Sequence, residues 1–196
     1  MSTNSGRTVV IGLGNPLMGD DGLGLVALER LRADYAIPPE VELVDGGTWG
    51  MNLLPVIEDA GRVILIDAID VGATPGTSVR LERARLPRYL ATKISPHQVD
   101  LRDVLGLAEL RGTLPNDTIA VGLQPQRIAL GNELSDVLRC RVDDLVTRVV
   151  QELVDRGHAC PPSPPDPLSV PERGDVVVSS PSPEGRGGQG VRTCMR

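Results

Sequence analysis

The stretch Ile11–Gly24, which reads IGLGNPLMGDDGLG, decides the fold of this chain. It begins inside a β-branched run that predicts a strand over Arg7–Leu13. A glycine-rich turn follows and ends at two adjacent carboxylates, Asp20 and Asp21, where the apolar spacing predicts the start of a helix. A strand, a tight turn and a helix in this order are typical of the first unit of an α/β sheet.

The rest of the chain continues the alternation of strands and helices. The connection between the third and fourth strands is too short for a helical crossover, so that pair is predicted to be antiparallel. The order βαβαββαβα predicts an α/β three-layer sandwich, a mostly parallel twisted sheet of about five strands with helices on both faces. The further strands are predicted at Val41–Asp45, Arg62–Ala68, Thr77–Glu82 and Asp117–Gln124, and the further helices at Trp49–Asp59, Asp100–Leu110 and from Val142 to the stop at Gly157.

Composition excludes several classes of function. The chain has 196 residues, enough for one domain, and a net charge of −6 without a basic cluster. With one Trp, two Tyr and no Phe, base stacking is poorly provided for, and we expect no nucleic-acid partner. No apolar stretch reaches the roughly 18–20 residues of a membrane span. The polar N-terminus and three cysteines outside any metal-type spacing predict a cytoplasmic protein without a membrane partner.

The composition changes after Gly157. The segments PPSPPDP and SPSPEGRGGQG are rich in Pro, Gly and Ser and carry little apolar periodicity. Such a sequence cannot bury enough surface to offset the entropy of ordering it. We therefore predict a domain over residues 1–157 and a disordered tail over 158–196, in which His158, Cys160 and Cys194 are incidental.

Three residues form a candidate site. Asp21 opens the first helix, Asp67 closes the apolar run RVILID, and His97 lies in the loop SPH before another helix. Ligands of open α/β sheets bind at the carboxyl ends of the strands, where this topology can bring the three together. Two carboxylates and an imidazole suit a divalent ion such as Zn or Ni and leave positions open for another ligand.

Each of these residues also has a simpler structural interpretation. Asp20 is most simply an N-cap, because its side chain can accept a hydrogen bond from the first turn of the helix. Asp21 can act as a favourable charge at the positive helix end. Asp67 can form a turn at the end of its strand, and His97 can be a solvated loop residue.

The segment DGGTWG, Asp45–Gly50, is a second unusual feature. Adjacent glycines permit positive φ at the same sheet edge. The segment is either a plain β–α turn or a flexible recognition loop beside the site, with Trp49 as an anchor.

Other signatures are weak or missing. Gly12 and Gly14 invite a dinucleotide-binding interpretation, but Leu17 stands where the third glycine of that fingerprint should be. The two glycines are better explained by a tight turn and a close backbone approach. The sequence contains no GxSxG, HExxH or GxxxxGK[ST] motif.

Four ordered motifs together resemble the hydrogenase maturation proteases, the endopeptidases that trim the C-terminus of a [NiFe]-hydrogenase large subunit. A fifth segment, GLQPQRIALGNELS at 122–135, is similar to the family's sequence before its final helix. The resemblance covers about residues 7–157. The four motifs are GLGNPLMGDDGLG at 12–24, VDGGTWGMNLL at 44–54, LIDAID at 65–70 and SPHQVDL at 95–101.

The resemblance implies that Asp21, Asp67 and His97 are the catalytic, metal-contacting residues. It also implies that the metal is chiefly the nickel already carried by the substrate, which is a nickel-loaded large-subunit precursor. The loop Asp45–Thr48, made of Asp45, Gly46, Gly47 and Thr48, resembles the family's substrate-recognition loop. We therefore expect a monomeric endopeptidase of aspartic or metal-dependent type that binds the precursor.

Two alternatives come from other classes. VVIGLGNP also resembles the opening of peptidyl-tRNA hydrolases, but that family continues with a Thr-Arg-His-Asn segment, whereas this chain continues LMGDDGLG. Its acidic balance also opposes tRNA binding. A non-catalytic nickel- or protein-binding module is the other alternative, and a cleavage assay separates it from an endopeptidase.

Overall fold

The fold is built around one five-stranded sheet. The computed structural model describes residues 6–47, 50–86 and 96–164, without the side chains of 96–100 and 102. The strands are β1 (Thr8–Leu13), β2 (Val41–Gly47), β3 (Arg62–Ala68), β4 (Ser78–Glu82) and β5 (Asp117–Leu123). They lie in the order β2-β1-β3-β5-β4. All neighbours are parallel except β4 and β5. The strand β4 runs antiparallel to β3, as the short connection predicts, but the predicted pairing of these two strands is wrong, because β5 lies between them.

The described part of the chain contains five α-helices and three short 3-10 helices. The α-helices are α1 (Leu23–Asp34), α2 (Leu53–Glu58), α3 (Pro96–Leu110), α4 (Asp136–Arg139) and α5 (Val142–Asp155). The 3-10 helices are Asp20–Gly22, Gly50–Asn52 and Arg83–Arg85. Helix α3 begins four residues before the predicted start, so His97 belongs to its first turn and the prediction of a loop position is wrong.

Alternate residues of each central strand face opposite layers of helices. Val63 and Leu65 of β3 pack in one core cluster with residues of α2 and α3. Ile64 and Ile66, the residues between and after them, pack in a second cluster with residues of α1 and α5. The central strands are apolar at nearly every position because both faces are covered. The predicted three-layer α/β sandwich is confirmed.

A network of charges fastens the end of α5 to the sheet. The buried Glu152 carboxylate accepts hydrogen bonds from Arg80 Nε of β4 and from Arg156 Nη1, both at 2.8 Å. Arg156 also donates from Nε to Asp117 Oδ2 of β5, at 2.9 Å. Burial alone raises the pKa of Glu152, but the hydrogen bonds from Arg80 and Arg156 lower that pKa below its ordinary value. The carboxylate therefore stays ionised although it is buried.

The packed domain continues past Gly157, which ends the turn after α5 with φ at 87°. Thr8 Oγ1 and His158 Nε2 are hydrogen-bonded at 2.7 Å, and Cys160 is a buried thiol in the core beside α1 and α5. The amide of Ser163 donates to the carbonyl of Asp34 at 2.8 Å.

The predicted boundary at 157 is therefore wrong for residues 158–163, which belong to the compact unit that ends at Ser163. The Pro-rich sequence of 158–163 shows no apolar periodicity, and the residues that it contacts lie on distant strands and helices. Local patterns therefore could not predict that this segment packs on the domain. The predicted disorder of 165–196 falls outside the described residues. Within the described part, no helix is long and apolar enough to cross a membrane.

Truncation separates these two parts of the C-terminal region. A chain that ends at Gly157 loses the Thr8–His158 bond, the buried Cys160 and three backbone hydrogen bonds. It should melt at least about 4 °C below a chain that ends at Pro164. Thermal unfolding followed by circular dichroism measures this difference. Equal melting temperatures for the two truncated chains would contradict a structural role for 158–163.

Candidate functional site

Glycines let the turn after β1 lie directly on the ends of the strands. Gly14 has φ at 114°, and a Cβ built there would lie 1.8 Å from the carbonyl oxygen of Asp21. A Cβ on Gly24 would lie 2.2 Å from the carbonyl oxygen of Ile66 in β3. No side chain fits at either position, so α1 starts in contact with the carboxyl edge of the sheet.

Asp21 is held at this edge by one of its two carboxylate oxygens. Its side chain is buried, with the residue 2% exposed. Oδ2 accepts a hydrogen bond from the backbone amide of Asn15 at 2.9 Å. Oδ1 is also buried, yet no residue that the structure describes donates a hydrogen bond to it. A buried carboxylate oxygen without a donor is costly for the fold and is suited to a ligand.

Asp67 reaches the same edge from the neighbouring strand. It lies near the end of β3, is 4% exposed and faces the layer of α2 and α3. With leucines that include Leu65 and Leu101 it lines a small cavity. It pairs with Gly122 of β5, where a Cβ would lie 1.9 Å from the Asp67 carbonyl oxygen. Only glycine fits opposite Asp67.

His97 lies in the first turn of α3, one helical turn before Leu101, which lines the cavity beside Asp67. The His97 side chain is outside the described residues. The described side chains contain no group of three or more His, Cys, Asp or Glu that could hold a metal ion. Because the His97 side chain is not among the described ones, the set of Asp21, Asp67 and His97 stays a prediction.

Asp20 does not cap α1, and this prediction is wrong. Helix α1 begins after Gly22, and no described side chain caps it. The buried Asp20 carboxylate instead accepts hydrogen bonds from the backbone amides of Gln126, Arg127 and Ser135 at 2.6–2.9 Å, and from Ser135 Oγ at 3.0 Å. These partners are more than 100 residues away in sequence, where arguments from local helix signals do not reach.

The predicted recognition loop begins inside the sheet. Asp45, Gly46 and Gly47 are the last residues of β2, and Gly46 is the extra residue where the pairing with β1 shifts. A Cβ on the buried Gly46 would lie 2.5 Å from Ile11 Cγ2. Gly46 is therefore required for packing, while Gly47 has a positive φ of 33°. Thr48, with Trp49, is outside the described residues, and the recognition role stays a prediction.

Sequence reasoning missed Gln124, which orders the connection after β3. Its side chain is buried at the end of β5. Oε1 accepts hydrogen bonds from the backbone amides of Val71 and Ala73, and Nε2 donates to Asp70 Oδ1, at 2.8–3.1 Å. The signal available in the sequence was a polar residue directly after an apolar strand.

A family model described as hydrogenase maturation protease matches residues 26–152. The chain belongs to this family. It is 38% identical over 149 residues to the hydrogenase expression/formation protein HupD of Rhodobacter capsulatus. This match covers 75% of this chain and 71% of the relative. It is 33% identical to the hydrogenase 2 maturation protease of Escherichia coli, over 77% of this chain and 93% of the relative.

The fold gives the same result. The solved structure of the hydrogenase maturating endopeptidase HybD from E. coli superposes with a TM-score of 0.76 at 32% identity. The match covers 80% of this chain and 97% of that one. The resemblance carried by the sequence motifs is thus confirmed, and the chain is a hydrolase of a peptidase family that acts in hydrogenase maturation.

The hydrogen bonds that the Asp20 carboxylate accepts from Gln126, Arg127 and Ser135, which we call the Asp20 clamp, can be tested by mutation. Asp20→Asn should lower the free energy of unfolding by about 2–4 kcal/mol, because the amide cannot accept all the hydrogen bonds and turns a donor toward backbone amides. Urea denaturation measures the loss. Asp103→Asn, at an exposed position of α3, is the control. A loss below about 0.5 kcal/mol, the size expected for an exposed site, would contradict the clamp.

Gly46 and Gly106 form a second matched pair. Gly46→Ala should destabilise the domain by about 1–3 kcal/mol, because the new methyl overlaps the buried Ile11 side chain. Gly106→Ala should be neutral or stabilise by up to about 1 kcal/mol, because its Cβ meets open space in the exposed interior of α3. Chemical denaturation compares the variants. A Gly46→Ala variant as stable as the wild type would show that β2 adapts without cost.

Proposed function

We propose that this chain is the endopeptidase that removes the C-terminal extension of a nickel-loaded [NiFe]-hydrogenase large-subunit precursor. Family membership supports the general activity. The observation that carries the finer proposal is the Asp21 carboxylate, whose Oδ2 is fixed by the Asn15 amide while its buried Oδ1 accepts no hydrogen bond from the described residues. That oxygen is a ready ligand for a cation brought by the substrate.

Asp21, Asp67 and His97 would contact the nickel of the precursor together. Asp21 follows β1, Asp67 lies near the end of the neighbouring strand β3, and both are buried at one edge. His97 precedes Leu101, a lining residue of the Asp67 cavity, by one helical turn. Carboxylate oxygens and a neutral imidazole nitrogen suit nickel, and three ligands leave positions for groups of the precursor. The free protein would therefore bind the metal weakly.

Peptide hydrolysis needs a polarised carbonyl and an activated water. Water adds to the carbonyl carbon, the C–N bond breaks, and a proton passes to the leaving amine. A metal-polarised carbonyl with a carboxylate that accepts the proton of the water meets both needs. The enzyme is then metal-dependent through its substrate, with Asp21 and Asp67 as the available bases. We also assign it to the cytoplasm, on the composition described above, and expect it to act as a monomer.

Processing of purified precursor tests this function. The nickel-loaded precursor should be cut and the nickel-free precursor should not, because the metal completes the site. Asp21→Asn, Asp67→Asn and His97→Ala should each reduce the cleavage rate at least about 100-fold. Gel mobility and the mass of the released peptide measure cleavage. Circular dichroism checks that each variant is folded.

The outcome of this assay can separate the candidate classes. Asp103→Asn, an exposed carboxylate on the same helix as His97, should leave processing unchanged. Full processing by a variant that lacks all three site residues would refute their role. Binding of the loaded precursor without any cleavage by the wild-type chain would favour the non-catalytic nickel- or protein-binding module instead.

A further inference from the structure

Three large apolar side chains are exposed beside the candidate site. Leu17, in the turn after β1, is 62% exposed, and Leu130, in the segment after β5, is 86% exposed. Ile128, two residues before Leu130, is 40% exposed. We call these three residues the apolar ledge. Large apolar side chains exposed as a group mark surfaces that bind partners, whereas scattered single ones need no explanation.

Backbone pairing brings the ledge together from two distant parts of the chain. The amide of Gly131 donates to the carbonyl of Leu17 at 2.9 Å, and the amide of Gly19 donates to the carbonyl of Gly131 at 2.8 Å. Gly19 also forms an antiparallel bridge with Ile128. The side chains are therefore presented by hydrogen-bonded backbone on both segments.

Asp20 holds the backbone that carries the apolar ledge. Its buried carboxylate holds Gln126 and Arg127 just before the ledge residues of the second segment, and Ser135 just after them. Both ends of the segment are thus attached to the residue that precedes Asp21. The two exposed leucines therefore lie on backbone that is attached by hydrogen bonds, and their exposure costs free energy.

The ledge and the candidate site share one turn. Asn15 donates its amide to Asp21 Oδ2 and accepts the amide of Leu17 on its side-chain oxygen, both at 2.9 Å. A polypeptide that is cut at Asp21 must bind on both sides of the bond that breaks. Because an extended chain advances about 3.3 Å per residue, residues close to that bond reach the ledge.

We propose that the apolar ledge binds apolar side chains of the precursor polypeptide near the bond that is cut. This inference rests on the proposed function, since it takes the precursor as the occupant. Continuity with the cleavage site favours the precursor over a second copy of this chain, because the ledge is built on the same turn as Asp21. The contact supplies binding energy at a distance from the metal, so it serves recognition of the polypeptide.

Binding is measured apart from cleavage in an inactive background. In Asp21→Asn protein, the further changes Leu17→Ser and Leu130→Ser should each raise the Kd for the nickel-loaded precursor roughly tenfold, the loss for one leucine contact. In otherwise wild-type protein, the same changes should raise KM and leave kcat nearly unchanged. Biolayer interferometry and the processing assay provide the two readouts.

Leu110→Ser is the matched control. Leu110 is 85% exposed, as much as Leu130, but it ends α3, which leads to the amino end of β5 at the opposite edge of the sheet. This change should alter neither Kd nor KM. If wild-type protein cuts the precursor and the ledge variants match Leu110→Ser, the ledge inference is refuted and the proposed function stands. If wild-type protein neither binds nor cuts it, the proposed function fails.

Two other occupants of the ledge are also outcomes of the test. A dimer in sedimentation velocity that Leu17→Ser and Leu130→Ser dissociate would assign the ledge to a second copy and overturn the proposal. A chain that ends at Pro164 provides the second test. If this chain binds the precursor more tightly and Leu130→Ser has no further effect in it, the ledge is assigned to residues 165–196 and the proposal is overturned as well. A monomer whose ledge variants lose precursor binding supports the proposal.

Discussion

The buried carboxylate of Asp20 is the interaction on which this edge of the molecule depends. It accepts hydrogen bonds from the two ends of the segment from Gln126 to Ser135 and so joins that segment to the turn after β1. Charged acceptors form stronger hydrogen bonds than neutral ones, and their removal leaves several buried donors unpaired. The position of Asp21 and the exposure of the apolar ledge both follow from this one connection.

Two adjacent aspartates thus have opposite roles. Asp20 is 1% exposed, and both of its oxygens accept hydrogen bonds. Asp21 is 2% exposed, but one of its oxygens accepts none from the described residues. The first stabilises the fold, and the second leaves a buried acceptor open, on which the proposed metal site rests. Unpaired buried polar atoms of this kind are typical of sites at which a protein binds or reacts.

The two edges of the sheet differ in how their buried charged groups are paired. At the amino edge, Glu152, Arg156 and Asp117 form a complete network that fastens α5, and its hydrogen bonds keep the buried carboxylate ionised. At the carboxyl edge lie the glycine turns, the buried Asp21 and Asp67, and exposed leucines. Ligand sites of open α/β sheets occur at this second edge because the connections there are free to vary.

The sequence by itself determined the α/β sandwich, because apolar strands and amphipathic helices follow local periods that no other architecture satisfies together. It also determined the family and the candidates Asp21, Asp67 and His97, through motifs whose spacing is visible along the chain. Only the tertiary structure decided that Asp20 is a clamp, that Gly46 is packed against Ile11, and that residues 158–163 belong to the domain. Each of these depends on contacts between residues far apart in sequence, and local patterns carry no information about such partners.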